Sequence, residues 1–96
     1  MAIFTDIDFV TIEEAEPPDA YSILFDVIYA GETWCRSRVD LDASMAALLS
    51  RENRAMVAAA RDALLELLAP QALPVSFHLR VTPEGTTVLA QASPGV

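Results

Sequence analysis

The feature that most constrains this chain is a pair of alternating runs, 21–30 and 33–41, whose apolar residues share one parity. Tyr21, Ile23, Phe25, Val27 and Tyr29 occupy odd positions, and so do Cys35, Val39 and Leu41. Successive strand residues point to opposite sheet faces, so two such runs flanking Gly31 read as a β-hairpin with a single apolar side. Partners across a hairpin share a face, which forces odd to pair with odd. The pattern predicts Val27 beside Cys35 and Ile23 beside Val39. On the opposite side it predicts Asp26 beside Arg36 and Ile28 beside Trp34. This register requires an odd number of loop residues, for which Ala30-Gly31-Glu32 is the natural choice.

The other segments follow from their own periods. Residues 3–12 are rich in β-branched and aromatic side chains. Ile3, Ile7 and Phe9 are of one parity and Asp6 and Asp8 of the other, as expected of an edge strand with its acids in water. EEAEPPDA reads as a turn or short linker. Over 42–69, Met45, Leu48, Leu49, Met56, Val57, Ala60, Leu64, Leu67 and Leu68 recur at helical spacing, behind Asp42 as an N-cap. Ser50-Arg51-Glu52-Asn53 interrupts this stripe, and a break with Ser50 capping a second helix is expected, in preference to one kinked helix. Arg51, Glu52, Arg54, Arg61, Asp62 and Glu66 mark the solvent side, and Pro70 and Pro74 bar continuation. Val75, Phe77, Leu79 and Val81 alternate with polar residues as in a half-buried strand. Pro83-Glu84-Gly85 then turns the chain into a returning strand, 86–91.

The expected fold class is therefore α+β: an antiparallel sheet of four to five strands, in the order β, hairpin, helical segment, hairpin, with the helical layer on one face. At 96 residues the chain is expected to form one domain. Its divisions are an acidic strand and Pro-Pro linker in 1–20, a core in 21–92 and a frayed tail in 93–96. The sequence does not say whether residues 1–12 join the same sheet.

Composition narrows the function classes. The formal charge is −8, and its excess lies at one end. Asp6, Asp8, Glu13, Glu14, Glu16, Asp19, Asp26 and Glu32 precede the first base, Arg36, and from Arg36 onward six acids face six arginines. Such a balance repels phosphate backbones and favours basic protein partners, so nucleic acid is not the expected ligand. The alternative is that these acids serve only to keep an apolar chain dispersed. The long apolar window 63–79 is broken by Glu66, Pro70 and Pro74, short of the ~20 residues of a membrane span. MAIFTDIDFV has no basic residue and does not read as a signal peptide. One cysteine, Cys35, allows no internal disulfide. Together these point to a cytoplasmic protein, and the use of arginine without lysine, with many alanines and leucines, suggests a bacterial source.

No catalytic, cofactor or metal set is assembled by the sequence. Asp6-Ile7-Asp8-Phe9-Val10 resembles the aspartate motif of haloacid-dehalogenase-type phosphatases over those five residues alone. The lysine and the larger doubly wound domain of that chemistry are missing. Two carboxylates on one strand face are also a candidate for a hard cation, although solvation accounts for them. Cys35 and His78 have opposite parity and do not read as a nucleophilic pair. Glu13, Glu14 and Glu16 fall in the turn, where nothing separates their acidities, and the three glycines form no phosphate loop.

What remains is the outward sheet face. Leu24, Ile28, Trp34, Arg36 and Arg38 of the first hairpin and His78 and Arg80 of the second share it, and exposed Trp and Arg are typical of binding surfaces. These seven are the candidate partner-binding residues. The expected function is a non-enzymatic interaction module, an acidic adaptor, inhibitor or assembly factor acting on a protein partner or on a second copy. Two alternatives are an enzyme or ligand-binding subunit with its site between protomers, and a phage- or plasmid-type inhibitor that blocks a basic surface. A second small core, with the Pro-rich segment folded over Trp34, is the structural alternative. Base stacking on Trp34 with arginines on phosphate is disfavoured by the acidic N-terminal third.

Overall fold

The computed structural model describes residues 4–16, 19–29 and 33–92. The expected hairpin loop 30–32, the Pro17-Pro18 linker and the tail 93–96 lie outside the described residues. Five strands, β1 (Phe4–Ala15), β2 (Ala20–Tyr29), β3 (Thr33–Leu41), β4 (Ser76–Thr82) and β5 (Gly85–Ala92), form one sheet in sequence order. Two helices, α1 (Ala43–Leu48) and α2 (Asn53–Leu68), lie between β3 and β4 and pack on strands β1 to β4. No helix among the described residues is long and apolar enough to cross a membrane.

The central hairpin has the register that its parity demands. Val27 pairs with Cys35, Ile23 with Val39, Asp26 with Arg36 and Ile28 with Trp34. The odd positions Ile23, Phe25, Val27, Val39 and Leu41 are fully enclosed, with Tyr29 and Cys35 nearly so. They meet Met56, Ala60, Leu64 and Leu68 of α2 in one hydrophobic cluster, which Val75, Phe77, Leu79 and Val81 complete.

The sheet is mixed and not wholly antiparallel. β3 and β4 run parallel, Arg38 beside His78 and Leu41 beside Val81, while the other three pairs are antiparallel. The cause is the intervening helical segment. A parallel neighbour needs a crossover of a dozen or more residues, and α2 alone, at 16 residues, covers about 24 Å, enough to carry the chain back to the end where β3 began.

β1 joins the same sheet, so the N-terminal segment belongs to the structured core. It also runs through Glu13 and Glu14, which the Pro-rich context assigns to a turn. β1 is an edge strand, with Asp6 and Asp8 exposed on the side away from the helices. Two register shifts, between Phe4 and Asp6 and between Phe9 and Thr11, change its parity. Ile7 and Phe9 therefore sit opposite Val27 and Phe25, whereas Ile12, of even number, sits opposite Ile23. A bulge keeps apolar side chains on one face despite a broken alternation.

The helical segment breaks in two, as the interrupted stripe implies. Asp42 caps α1 by accepting the Met45 N–H at 2.7 Å. Ser50 does not cap α2; that position is Glu52, without a side-chain cap bond. Ser50 instead ends α1. Its φ is +57° and that of Arg51 is +50°, and the N–H groups of Arg51 and Ser50 donate to Ala46 and Ala47 carbonyls at 2.8 and 3.0 Å. This is a Schellman ending with serine in the place usually held by glycine. Leu48, next to the break, is 68% exposed and lies off the core stripe.

Candidate functional site

The helices cover one side of the sheet and leave the other open. The open side carries the even positions of β2, β3 and β4, ordered in rows by the strand register. One row runs Asp6, Ile28, Trp34; the next Asp8, Asp26, Arg36; a third Thr11, Leu24, Arg38, His78, Ala90; a fourth Glu13, Ser22, Asp40, Arg80, Thr87. All seven candidate residues thus share one face. Trp34 is 60% exposed, and the described residues form no second core over it. Ile28, its cross-strand partner, is half-buried beside it, and Leu24, also half-buried, lies two rows further along β2 beyond Asp26 and Arg36.

Sequence reasoning missed the centre of this face, Asp40. Its Oδ1 accepts from Ser22 Oγ at 2.6 Å and from Arg38 Nε at 2.8 Å, and Arg38 Nε also donates to Ser22 Oγ at 3.1 Å. His78 Nε2 lies 2.7 Å from Oδ2. Burial pushes the Asp40 carboxyl up, but the bonds from Ser22, His78 and Arg38 outweigh it and hold the group below the usual aspartate value. A carboxylate met by three donors stays ionised. The only available signal was parity, because Asp40 alternates with Arg38 on the same face. The His78 contact depends on β4 lying parallel to β3, which the sequence pattern does not encode.

Ser22, Asp40 and His78 have the side chains of a hydrolytic triad in an order that does not suit that chemistry. The carboxylate stands between hydroxyl and imidazole, so Ser22 donates its hydrogen bond to Asp40 and His78 is not placed to take the hydroxyl proton. Ser22 is also only 8% exposed. Cys35 lies on the helix side and His78 on the open side, as their parities predict. Burial raises the Cys35 thiol above its ordinary value, which keeps it protonated and unreactive.

Charge is graded across the face. Asp26 pairs with Arg36 through Nε at 2.9 Å, and Arg38 pairs with Asp40, so two of the arginines are neutralised within the chain. Arg80 has no hydrogen bond or ion pair among the described residues, and Asp6, Asp8 and Glu13 on β1 have no basic partner there. Desolvation, a hydrogen bond shared with Asp6 and repulsion from Asp6 and Asp26 together raise the Asp8 carboxyl above its ordinary value. The edge column is therefore an uncompensated negative stripe beside an apolar corner. At the far end of the face a shallow groove of about 450 Å³ is lined by Glu16, Tyr21, Asp40, Asp42, Arg80 and Thr82.

These features define the class: an α+β protein with one helix-covered sheet face and one open face that combines an aromatic corner, a hydrogen-bonded charged centre and an acidic edge. No protein-family model matches the chain, and neither a curated protein nor a solved structure matches it.

Proposed function

We propose that the protein is a non-enzymatic interaction module whose open sheet face docks on a basic surface of a partner protein. The observation that carries this reading is Trp34, 60% exposed at the end of a row that begins with Asp6 and beside its cross-strand partner Ile28. An exposed tryptophan beside aliphatic side chains is the composition of a binding hot spot, and the uncompensated acids along β1 supply the complementary charge. Between them the Ser22, Arg38, Asp40 and His78 side chains are tied to one another by hydrogen bonds across three strands. Arginines already neutralised by Asp26 and Asp40 offer little to a phosphate backbone, which weighs against nucleic acid as the ligand.

The experiment is a titration of the purified partner, recovered with the wild-type protein as bait, against wild type, Trp34→Ala and an Asp6→Asn/Asp8→Asn/Glu13→Gln triple variant. Trp34→Ala should weaken binding by at least about tenfold, or ~1.4 kcal/mol. The triple variant should slow association and flatten its salt dependence. Equal affinities for all three proteins would refute the reading.

A further inference from the structure

The two edges of the sheet differ sharply in charge. β1 carries Asp6, Asp8, Glu13 and Glu14, whereas β5, GTTVLAQA, carries no charged residue and no proline. Every residue of β5 is exposed, Val88 at 43% and Leu89 at 40% among them. An edge strand presents a row of unpaired N–H and C=O groups, and proteins ordinarily blunt such an edge with charge, proline or a covering element. On β5 the one irregularity is a bulge that falls after Val88. From Gly85 to Val88 the pairing with β4 is regular, Thr82 with Gly85, Val81 with Thr86 and Leu79 with Val88.

We propose that β5 pairs antiparallel with β5 of a second copy of this chain, joining two five-stranded sheets into one ten-stranded sheet. The free backbone groups call for a β-strand as occupant, and of the two sheet edges only β5 lets a second copy approach without acid meeting acid. Two chains of net charge −8 repel wherever their acidic segments meet. A β5 contact instead sends both acidic β1 edges to opposite ends, roughly 43 Å apart at ~4.8 Å per strand and well beyond a Debye length of ~8 Å. Self-pairing also sets the β-branched run Thr86, Thr87, Val88 against its own kind, a favourable cross-strand composition. Thr86 and Val88 lie opposite the buried Val81 and Leu79, so the new contact extends the apolar side of the sheet. The assembly closes at two, because the remaining edges are the acidic β1 strands, which repel a third chain. This interface is separate from the Trp34 face and does not depend on its role.

The test uses the full chain in size-exclusion chromatography with light scattering and in native mass spectrometry. Wild type should have twice the 10.4 kDa chain mass. Val88→Glu and Val88→Lys should each be monomeric with unchanged circular dichroism, and an equimolar mixture of the two should recover a heterodimer, an outcome that misfolding would not produce. If either variant loses its fold, wild-type hydrogen exchange decides: amides of 85–92 should become more protected as concentration rises. A wild type that stays monomeric at every concentration overturns the proposal. So does a dimer that survives both Val88 substitutions, or one that Trp34→Ala dissolves in their place.

Discussion

Replacing Tyr29 by Phe tests how the hairpin is fastened to the crossover. The Tyr29 hydroxyl donates to the Val75 carbonyl at 2.9 Å and accepts the Val75 N–H at 3.3 Å, joining residues 46 positions apart. Both residues are buried, Tyr29 at 2% and Val75 at 2% exposure, so no solvent stands ready to replace the lost oxygen. Removing it leaves a backbone donor and a backbone acceptor unpaired, each costing about 1–3 kcal/mol. The donor bond is long, which places the sum near ~2–4 kcal/mol. For a chain of this size ~1 kcal/mol shifts the melting temperature by about 4–8 °C, so Tyr29→Phe should melt at least ~8 °C lower, with its folded circular dichroism intact. Chemical denaturation should show the same loss at unchanged slope. Burial holds the Tyr29 hydroxyl above its ordinary value, so absorbance titration should show it ionising only in strong alkali. A loss below ~0.5 kcal/mol would show that the hydroxyl is hydrated and that the crossover is not anchored at Val75.

Two further predictions concern the charged centre and the helix break. Because the folded Asp40 carboxyl lies below its unfolded value near ~3.9, its stabilisation is complete above that pH and is lost as pH falls through the folded value. Asp40→Asn should therefore cost about 1–2 kcal/mol at neutral pH, and thermal melts of the two proteins should draw together as pH falls below the usual aspartate range and through the folded carboxyl's lowered value. A gap independent of pH would refute the ionic role. Ser50→Gly relieves a left-handed residue at the end of α1 and should raise stability by about 0.5–1 kcal/mol; a destabilised variant in urea unfolding would contradict the Schellman ending.

How much of the fold and its open face could be read from the sequence depends on what each feature's signal encodes. The hairpin register was legible because a period of two leaves no freedom once both strands share a parity, and the open face followed from it. The α1–α2 break showed as an interrupted stripe, but its mechanism did not, since Ser50 in a glycine position has no sequence signature. Alternation in Val75–Val81 is the same for either strand direction, so the parallel β3–β4 pair stayed hidden, and with it the meeting of His78 with Asp40. β1 did carry a trace of its bulge, in the change from odd Ile7 and Phe9 to even Ile12. The Pro-rich context drew the strand's end too early, before Glu13 and Glu14 could be placed beside Ser22 and Tyr21.

The central claim, that the open face is a docking surface, is tested most directly by a photoreactive phenylalanine placed at position 34 in the living source cell. The control is the same residue at Leu73, which is 72% exposed and belongs to the segment between α2 and β4. Irradiation should give one discrete protein adduct from position 34 and none from position 73, and neutralising Asp6, Asp8 and Glu13 should weaken it. No adduct at position 34, or the same adducts from both positions, would contradict the account.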